Sequence, residues 1–158
     1  VIGTGESIPY PDNHFDLVIA NNVLEHISEP VPFLREIYRV LKRGGIFLAK
    51  TPNRYHYVAI LAKITPHSIH ELVARLRRRA SADTFPTWYR LNDRRAIRNF
   101  ASKQGFSFTE IRLMEGRPEY LRIHPLLYVI GLIYERIVNS TRFLEFLRVI
   151  LVCRLQKI

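Results

Sequence analysis

Asn21, Asn22, Glu25 and His26 place four side chains able to exchange hydrogen bonds or protons in one short stretch, at the end of the apolar run FDLVIA. Amides donate and accept, and imidazole titrates near neutrality, so His26 could orient or deprotonate a substrate hydroxyl. The competing reading of the two asparagines is turn chemistry, because asparagine caps strands and turns well. For His26 a structural or substrate-shaping role ranks first, general base second and metal ligation third. His67 and His70 could share a helical face, yet only the adjacent Glu71 joins them, so a solvated face is the simpler account. Trp88 and Tyr89 are aromatic candidates for a substrate pocket, with core packing the alternative. Cys153 lies in an apolar run and reads as a small buried hydrophobe.

The elements that must position these groups follow from periodicity. Phe15 to Ala20 is a short apolar run bounded by turn formers, the pattern of a strand covered on both faces and central in a parallel sheet. Ser28, Glu29 and Pro30 open a helix with Phe33, Leu34, Ile37, Val40 and Leu41 on one face, which Gly44 and Gly45 stop. Ile46 to Ala49 is the next buried strand, ended by Thr51, Pro52 and Asn53, and the strand-helix-strand crossover is expected to be right-handed. A basic insertion spans 54–83. Asn92 or Asp93 then caps a helix that Gly105 ends. Phe106 to Leu113 forms a strand whose inward set changes parity, marking a bulge. An apolar helix over 124–138 and a strand from Phe146 to Leu155 close the chain.

Composition bounds the remaining possibilities. The 158 residues suffice for one domain, 47% hydrophobic content excludes disorder as the default, and a net charge of +10 draws the chain toward anionic partners. One cysteine rules out an internal disulfide framework and fits a reducing, cytoplasmic setting. The longest apolar run, Leu126 to Tyr134, is far shorter than the ~20 residues of a spanning helix. For the arginine cluster Arg75 to Arg79, a solvated face ranks first, a membrane surface second and RNA third. Nothing in the sequence sets an oligomeric state.

The stretches GTGESIPYPDNHFDLVIANNVLEHI, FLREIYRVLKRGGIFLAKTPN and GFSFTEIRL, in this order, resemble the carboxyl-terminal two-thirds of a class I, Rossmann-like S-adenosylmethionine-dependent methyltransferase. The branch including quinone-biosynthesis enzymes is the most similar. The resemblance implies an α/β fold with a mostly parallel sheet and an antiparallel last strand. It implies S-adenosylmethionine as cofactor, with Asn21 and Asn22 facing its amino-acid and sugar portions across the carboxyl end of the sheet. In the family a Gly-Asp-Ala-Glu-like turn holds adenine; here Gly3, Thr4, Gly5 and Glu6 stand there, so Thr4 replaces the acidic contact and the backbone of Gly5 and Glu6 supplies donors. Within that frame the candidate catalytic group is His26, and the candidate substrate contacts are Asn53, Trp88 and Tyr89. No metal is implied, since Asn22 stands where metal-assisted relatives carry an acidic ligand. Arg43 replaces a frequent Pro before the Gly-Gly turn. The family's glycine-rich loop and ribose-binding acidic residue would lie upstream of Val1, so the chain reads as truncated. The expected acceptor is a small molecule, with a lipid-like one and peripheral membrane contact in view. The rival reading is a methyltransferase-like module that binds a partner or anionic surface without catalysis.

Overall fold

A computed structural model describes residues 5, 7–57, 59–60, 86–118, 121–122 and 124–158. The chain forms two compact units: residues 1–52, 87–112 and 151–158 in one, and 53–86 and 113–150 in the other. The basic insertion, with Arg75 to Arg79, His67, His70 and Glu71, falls almost wholly outside the described residues, as do Thr4 and Glu6.

The first unit is built on a four-stranded sheet. Its strands are β1 (Phe15–Asn21), β2 (Leu41–Pro52), β3 (Phe106–Met114) and β4 (Ile150–Lys157), in the order β1-β2-β4-β3. β1 and β2 run parallel, with Val18 opposite Phe47 and Ala20 opposite Ala49. β4 runs antiparallel to β2: the Cys153 region bonds the backbone at Ala49, and Gln156 Nε2 reaches back to the Gly44 carbonyl at 3.0 Å. The sheet is therefore mixed, with the antiparallel last strand that the sequence suggests. β1 sits at the edge of this described sheet and not at its centre. Leu17 and Ile19, which the apolar run suggests are covered, are 49% and 63% exposed, because β2 pairs one side of β1 and the helices cover only one face.

Helix α1 (Pro30–Val40) starts with Pro30 at its first position, where a missing N–H costs nothing, and buries Phe33, Leu34, Ile37 and Val40 as one stripe. The Phe33 ring meets Phe47 of β2 edge-on, and the Tyr38 ring meets Phe106 of β3. The helix ends before the two glycines, since Leu41 is fully buried and already paired with Phe15 in the sheet. The glycines instead shape an irregularity inside β2. From Phe15↔Leu41 the register passes to Leu17↔Ile46, and Gly44 takes a φ of +77° that side chains resist. Ahead of β1, the Arg39 guanidinium gathers the Ile8 and Tyr10 carbonyls (both 2.9 Å) and Asp12 (2.7 Å), tying this segment onto α1.

Helix α2 (Arg94–Lys103) is capped by Asp93, whose carboxylate accepts from the Ala96 N–H at 2.8 Å, and buries Ile97 and Ala101. Gly105, at φ +85°, stops it, as the sequence indicates. Along β3 the buried set passes from Phe106 to Ile111, the expected change of parity.

In the second unit, helix α3 (Pro125–Ser140) begins at His124, whose Nδ1 accepts from the Leu126 N–H. Its side bearing Gly131, Tyr134 and Val138 is covered. A Cβ at Gly131 would stand 2.5 Å from the Pro118 side chain, so glycine permits that approach. Tyr134 Oη donates to the Leu147 carbonyl at 2.8 Å. The stretch expected to start the closing strand forms a 3-10 segment, Arg142–Leu147, because the Thr141 hydroxyl accepts from the Phe143 N–H and opens a new turn.

Candidate functional site

β1 ends by delivering Asn21 and Asn22 to solvent at the carboxyl end of the parallel pair. Asn22 turns the chain at φ +53°, a left-handed conformation asparagine tolerates better than most residues, while its N–H still bonds the Lys50 carbonyl at 2.8 Å. Turn chemistry and ligand-facing amides therefore coexist here: the backbone makes the turn, and both side chains remain exposed. A 3-10 turn, Leu24–His26, follows directly and buries Leu24 and Glu25.

Beneath this surface lies a buried polar chain. Asn92 Nδ2 donates to Thr51 Oγ1 (2.7 Å) and to the Pro52 carbonyl (2.9 Å), and Thr51 Oγ1 donates to Glu25 Oε2 (2.8 Å). A hydroxyl offers one proton and accepts another, so the direction of this chain is fixed from amide to carboxylate. The other Glu25 oxygen stands 4.0 Å from His26 Nε2, and the His26 side chain is one-third exposed. The Glu25 carbonyl accepts from the N–H groups of Trp88 (2.7 Å) and Tyr89 (3.3 Å), which brings both aromatics beside the same turn. Trp88 is 52% exposed, and the Arg90 guanidinium lies 5.7 Å from the centre of its ring.

Five sequence-predicted residues are thus gathered in the first unit: Asn21, Asn22, His26, Trp88 and Tyr89. At Gly5, in the same unit, a Cβ would stand 2.8 Å from the Phe33 ring and 3.8 Å from the Ile27 side chain, so close packing accounts for the glycine. Asn53 falls in the other unit. It is buried there, with its Nδ2 donating to the Phe146 (2.6 Å) and Arg148 (2.8 Å) carbonyls and its Oδ1 accepting from the Tyr55 N–H. That side chain holds a turn together. Thr51 and Asn92 were read only as a strand end and a possible cap. Their buried partnership with Glu25 joins positions 26 to 67 residues apart, which spacing in the sequence does not reveal.

The second unit holds its own buried pair. His56 Nε2 lies 3.7 Å from Glu115 Oε2, both side chains are almost inaccessible, and the Val149 N–H donates to the carboxylate at 2.9 Å. Burial pushes His56 down to about 4 and Glu115 up to about 7. Cys153 is buried in β4, and burial pushes its thiol up to about 12, so it acts as a small apolar side chain. Among the described residues no three His, Cys, Asp or Glu side chains converge as a metal site, and no helix is long and apolar enough to cross a membrane.

A mixed sheet in this strand order, with polar groups at the carboxyl end of its parallel pair, defines a Rossmann-like α/β protein. Residues 1–49 match the family model described as a methyltransferase domain. A probable S-adenosylmethionine-dependent methyltransferase of Mycolicibacterium smegmatis is 42% identical over 52 residues, 33% of this chain and 20% of that protein. The ubiquinone/menaquinone biosynthesis C-methyltransferase of Edwardsiella ictaluri is 32% identical over 72 residues, 46% of this chain and 29% of that protein. The matched stretches thus span less than a third of these curated relatives. Among solved structures, an S-adenosylmethionine-dependent methyltransferase from Mesorhizobium loti has a similar fold. Its TM-score is 0.60 at 13% identity, covering 98% of this chain and 67% of that one. Over its first 49 residues the chain is thus similar to a methyltransferase domain, and its fold is similar to that of solved S-adenosylmethionine-dependent methyltransferases.

Proposed function

We propose that this chain forms part of an enzyme that transfers a methyl group from S-adenosylmethionine to a nucleophile on a small molecule. The observation that carries the reading is the exposed Asn21 and Asn22 pair at the carboxyl end of β1, backed by the buried Glu25, Thr51 and Asn92 chain. The two amides fit a polar ligand bearing hydroxyl, amino and carboxylate groups, because each supplies both donors and an acceptor. Asn21 and Asn22 would hold the cofactor's polar portions. When bound, the cofactor supplies a methyl group already activated on a sulfonium. The protein's task is then alignment of the acceptor, together with removal of a proton where the acceptor requires it. His26 is the group to accept that proton, since its imidazole is part-exposed and lies beside Glu25. Trp88, exposed and tethered to the same turn through its N–H, offers a flat apolar surface to the acceptor.

Titration calorimetry with S-adenosylhomocysteine, paired with single-turnover assays on the whole protein, separates these roles. Asn21→Ala is expected to weaken S-adenosylhomocysteine binding about tenfold, the loss of roughly one good hydrogen bond. His26→Ala should leave that affinity intact and slow methyl transfer by about 100-fold, the lower end of what general-base catalysis supplies. Unchanged affinity in the first variant removes the cofactor assignment. Full turnover in the second removes the general base. No binding to the folded whole protein turns the reading to a non-catalytic, methyltransferase-like module.

A further inference from the structure

One side of α3 leaves its apolar residues exposed. Leu126, Val129, Ile130, Ile133 and Ile137 are each between 50% and 62% exposed. At 3.6 residues per turn they fall within an arc of roughly 100°, one continuous stripe along the helix. Two exposed aromatics lie close by in the chain. Phe143, 82% exposed, and Phe146, 48% exposed, follow on the 3-10 segment that packs against α3. A contiguous apolar surface of this kind marks an interaction site, whereas scattered exposed aliphatics do not.

The charges around the stripe identify what it meets. Arg136 flanks it on the helix, Arg142 opens the 3-10 segment, and all four of Arg117, Arg122, Arg136 and Arg142 are exposed. Arg117 and Arg122 also line a pocket of about 370 Å³ with Pro125 and Tyr128, at the end of α3 where the stripe begins. The acidic side chains of the same elements, Glu135 and Glu145, are half-buried and so stand back from the surface. An aliphatic face rimmed by arginine is the chemistry of a helix lying in a lipid interface, with apolar side chains among the acyl chains and guanidinium groups among the phosphates. Spanning is excluded by length: the 16 residues of α3 extend ~24 Å, against the ~30 Å of a hydrocarbon core. A second copy of the chain is disfavoured as the occupant, because it would bring the same arginine rim and another +10 of net charge to the contact.

We propose that the exposed face of α3, together with the exposed Phe143 and Phe146, docks the protein on an anionic phospholipid surface. This proposal does not rest on methyl transfer, since every residue it uses lies in the second unit and none belongs to the Asn21, Asn22 and His26 site.

Co-sedimentation with extruded vesicles tests it, comparing equal parts phosphatidylcholine and phosphatidylglycerol with phosphatidylcholine alone. The chain is expected to partition onto the anionic vesicles and about tenfold less onto the neutral ones. The double variant Ile130→Glu with Ile133→Glu, and separately Arg117→Glu with Arg122→Glu, should each weaken partitioning about tenfold. Far-ultraviolet circular dichroism should be unchanged, because these side chains are exposed. If the glutamates perturb folding, Ile130→Ser with Ile133→Ser replaces them and still must reduce binding. Absence of binding to anionic vesicles, or binding that the Ile130 and Ile133 variants leave untouched, overturns the proposal. So does a dimer seen by light scattering that those same substitutions dissociate, which would assign the face to a second copy.

Discussion

Lys157→Ala is expected to lower the stability of the chain by about 3 kcal/mol, the upper range for stranding buried polar groups. The Lys157 ammonium is buried and donates to the carbonyls of Tyr38 (2.7 Å) and Leu41 (2.8 Å) and to Asn13 Oδ1 (2.9 Å), while lying 4.6 Å from the centre of the Tyr38 ring. These carbonyls close the carboxyl end of α1, where a helix leaves its last acceptors unbonded and its dipole favours a cation. Alanine removes the donor and the stem together, so Tyr38 and Leu41 lose their partner where water has little access. Lys157→Met separates the two contributions, since it keeps most of the stem's volume and removes the charge. If the carbonyls dominate, methionine should recover less than half of the loss. Urea unfolding followed by circular dichroism reads this as a lower midpoint at unchanged slope. A loss below about 1 kcal/mol for alanine would mean that the carbonyls find other donors, and the account of α1's end would fail.

Asn92→Ala should be nearly as damaging, at about 2 kcal/mol, because the amide donates one bond to the buried Thr51 Oγ1 and another to the part-buried Pro52 carbonyl. The informative test is the pairing with Thr51→Val, which removes the middle member of the chain at nearly constant volume. If Asn92, Thr51 and Glu25 act as one unit, the double variant should be less destabilised than the sum of the singles by about 1 kcal/mol or more. Strict additivity in the urea midpoints would show three independent contacts. The same variants also bear on the site above: destabilising the chain loosens the turn that holds Glu25 beside His26, so methyl transfer should fall together with stability. Lys157 belongs to the opposite case, a residue whose loss should change stability without touching the Asn21 and Asn22 surface.

Much of the fold could be read from residue spacing. The stripe Phe33, Leu34, Ile37 and Val40 positions α1, Asp93 and Gly105 bracket α2, and the short run FDLVIA is a strand. These signals are local, carried by side chains within a few turns of one another. What escaped were consequences of distant pairing. β1 reads as a central strand because its apolar run is continuous, yet among the described residues it pairs on one side and leaves Leu17 and Ile19 exposed. α1 ends early because Leu41 is claimed by Phe15, a partner 26 residues away. The site shows the same division: Asn21, Asn22 and His26 stand out as polar groups at a strand end, while Asn92 looks like a helix cap until the fold sets it against Thr51. Asn53 shows the same effect of distance, since its amide bonds the Phe146 and Arg148 carbonyls from far along the chain.

The buried His56 and Glu115 pair has a consequence for the proton count of folding. His56, pushed down to about 4 from 6.5, gives up a proton on folding in mildly acidic solution, and stability from this source rises with pH across that window. Glu115, pushed up to about 7 from 4.5, takes a proton up, and its contribution falls as pH rises over its own window. Where the two windows overlap, between pH 4.5 and 6.5, the slopes oppose each other, so folding binds almost no net proton at this pair. Two strongly shifted groups side by side therefore leave stability nearly level with pH, and removing either one alone, as in His56→Gln or Glu115→Gln, should expose the slope of the other in pH-dependent urea midpoints.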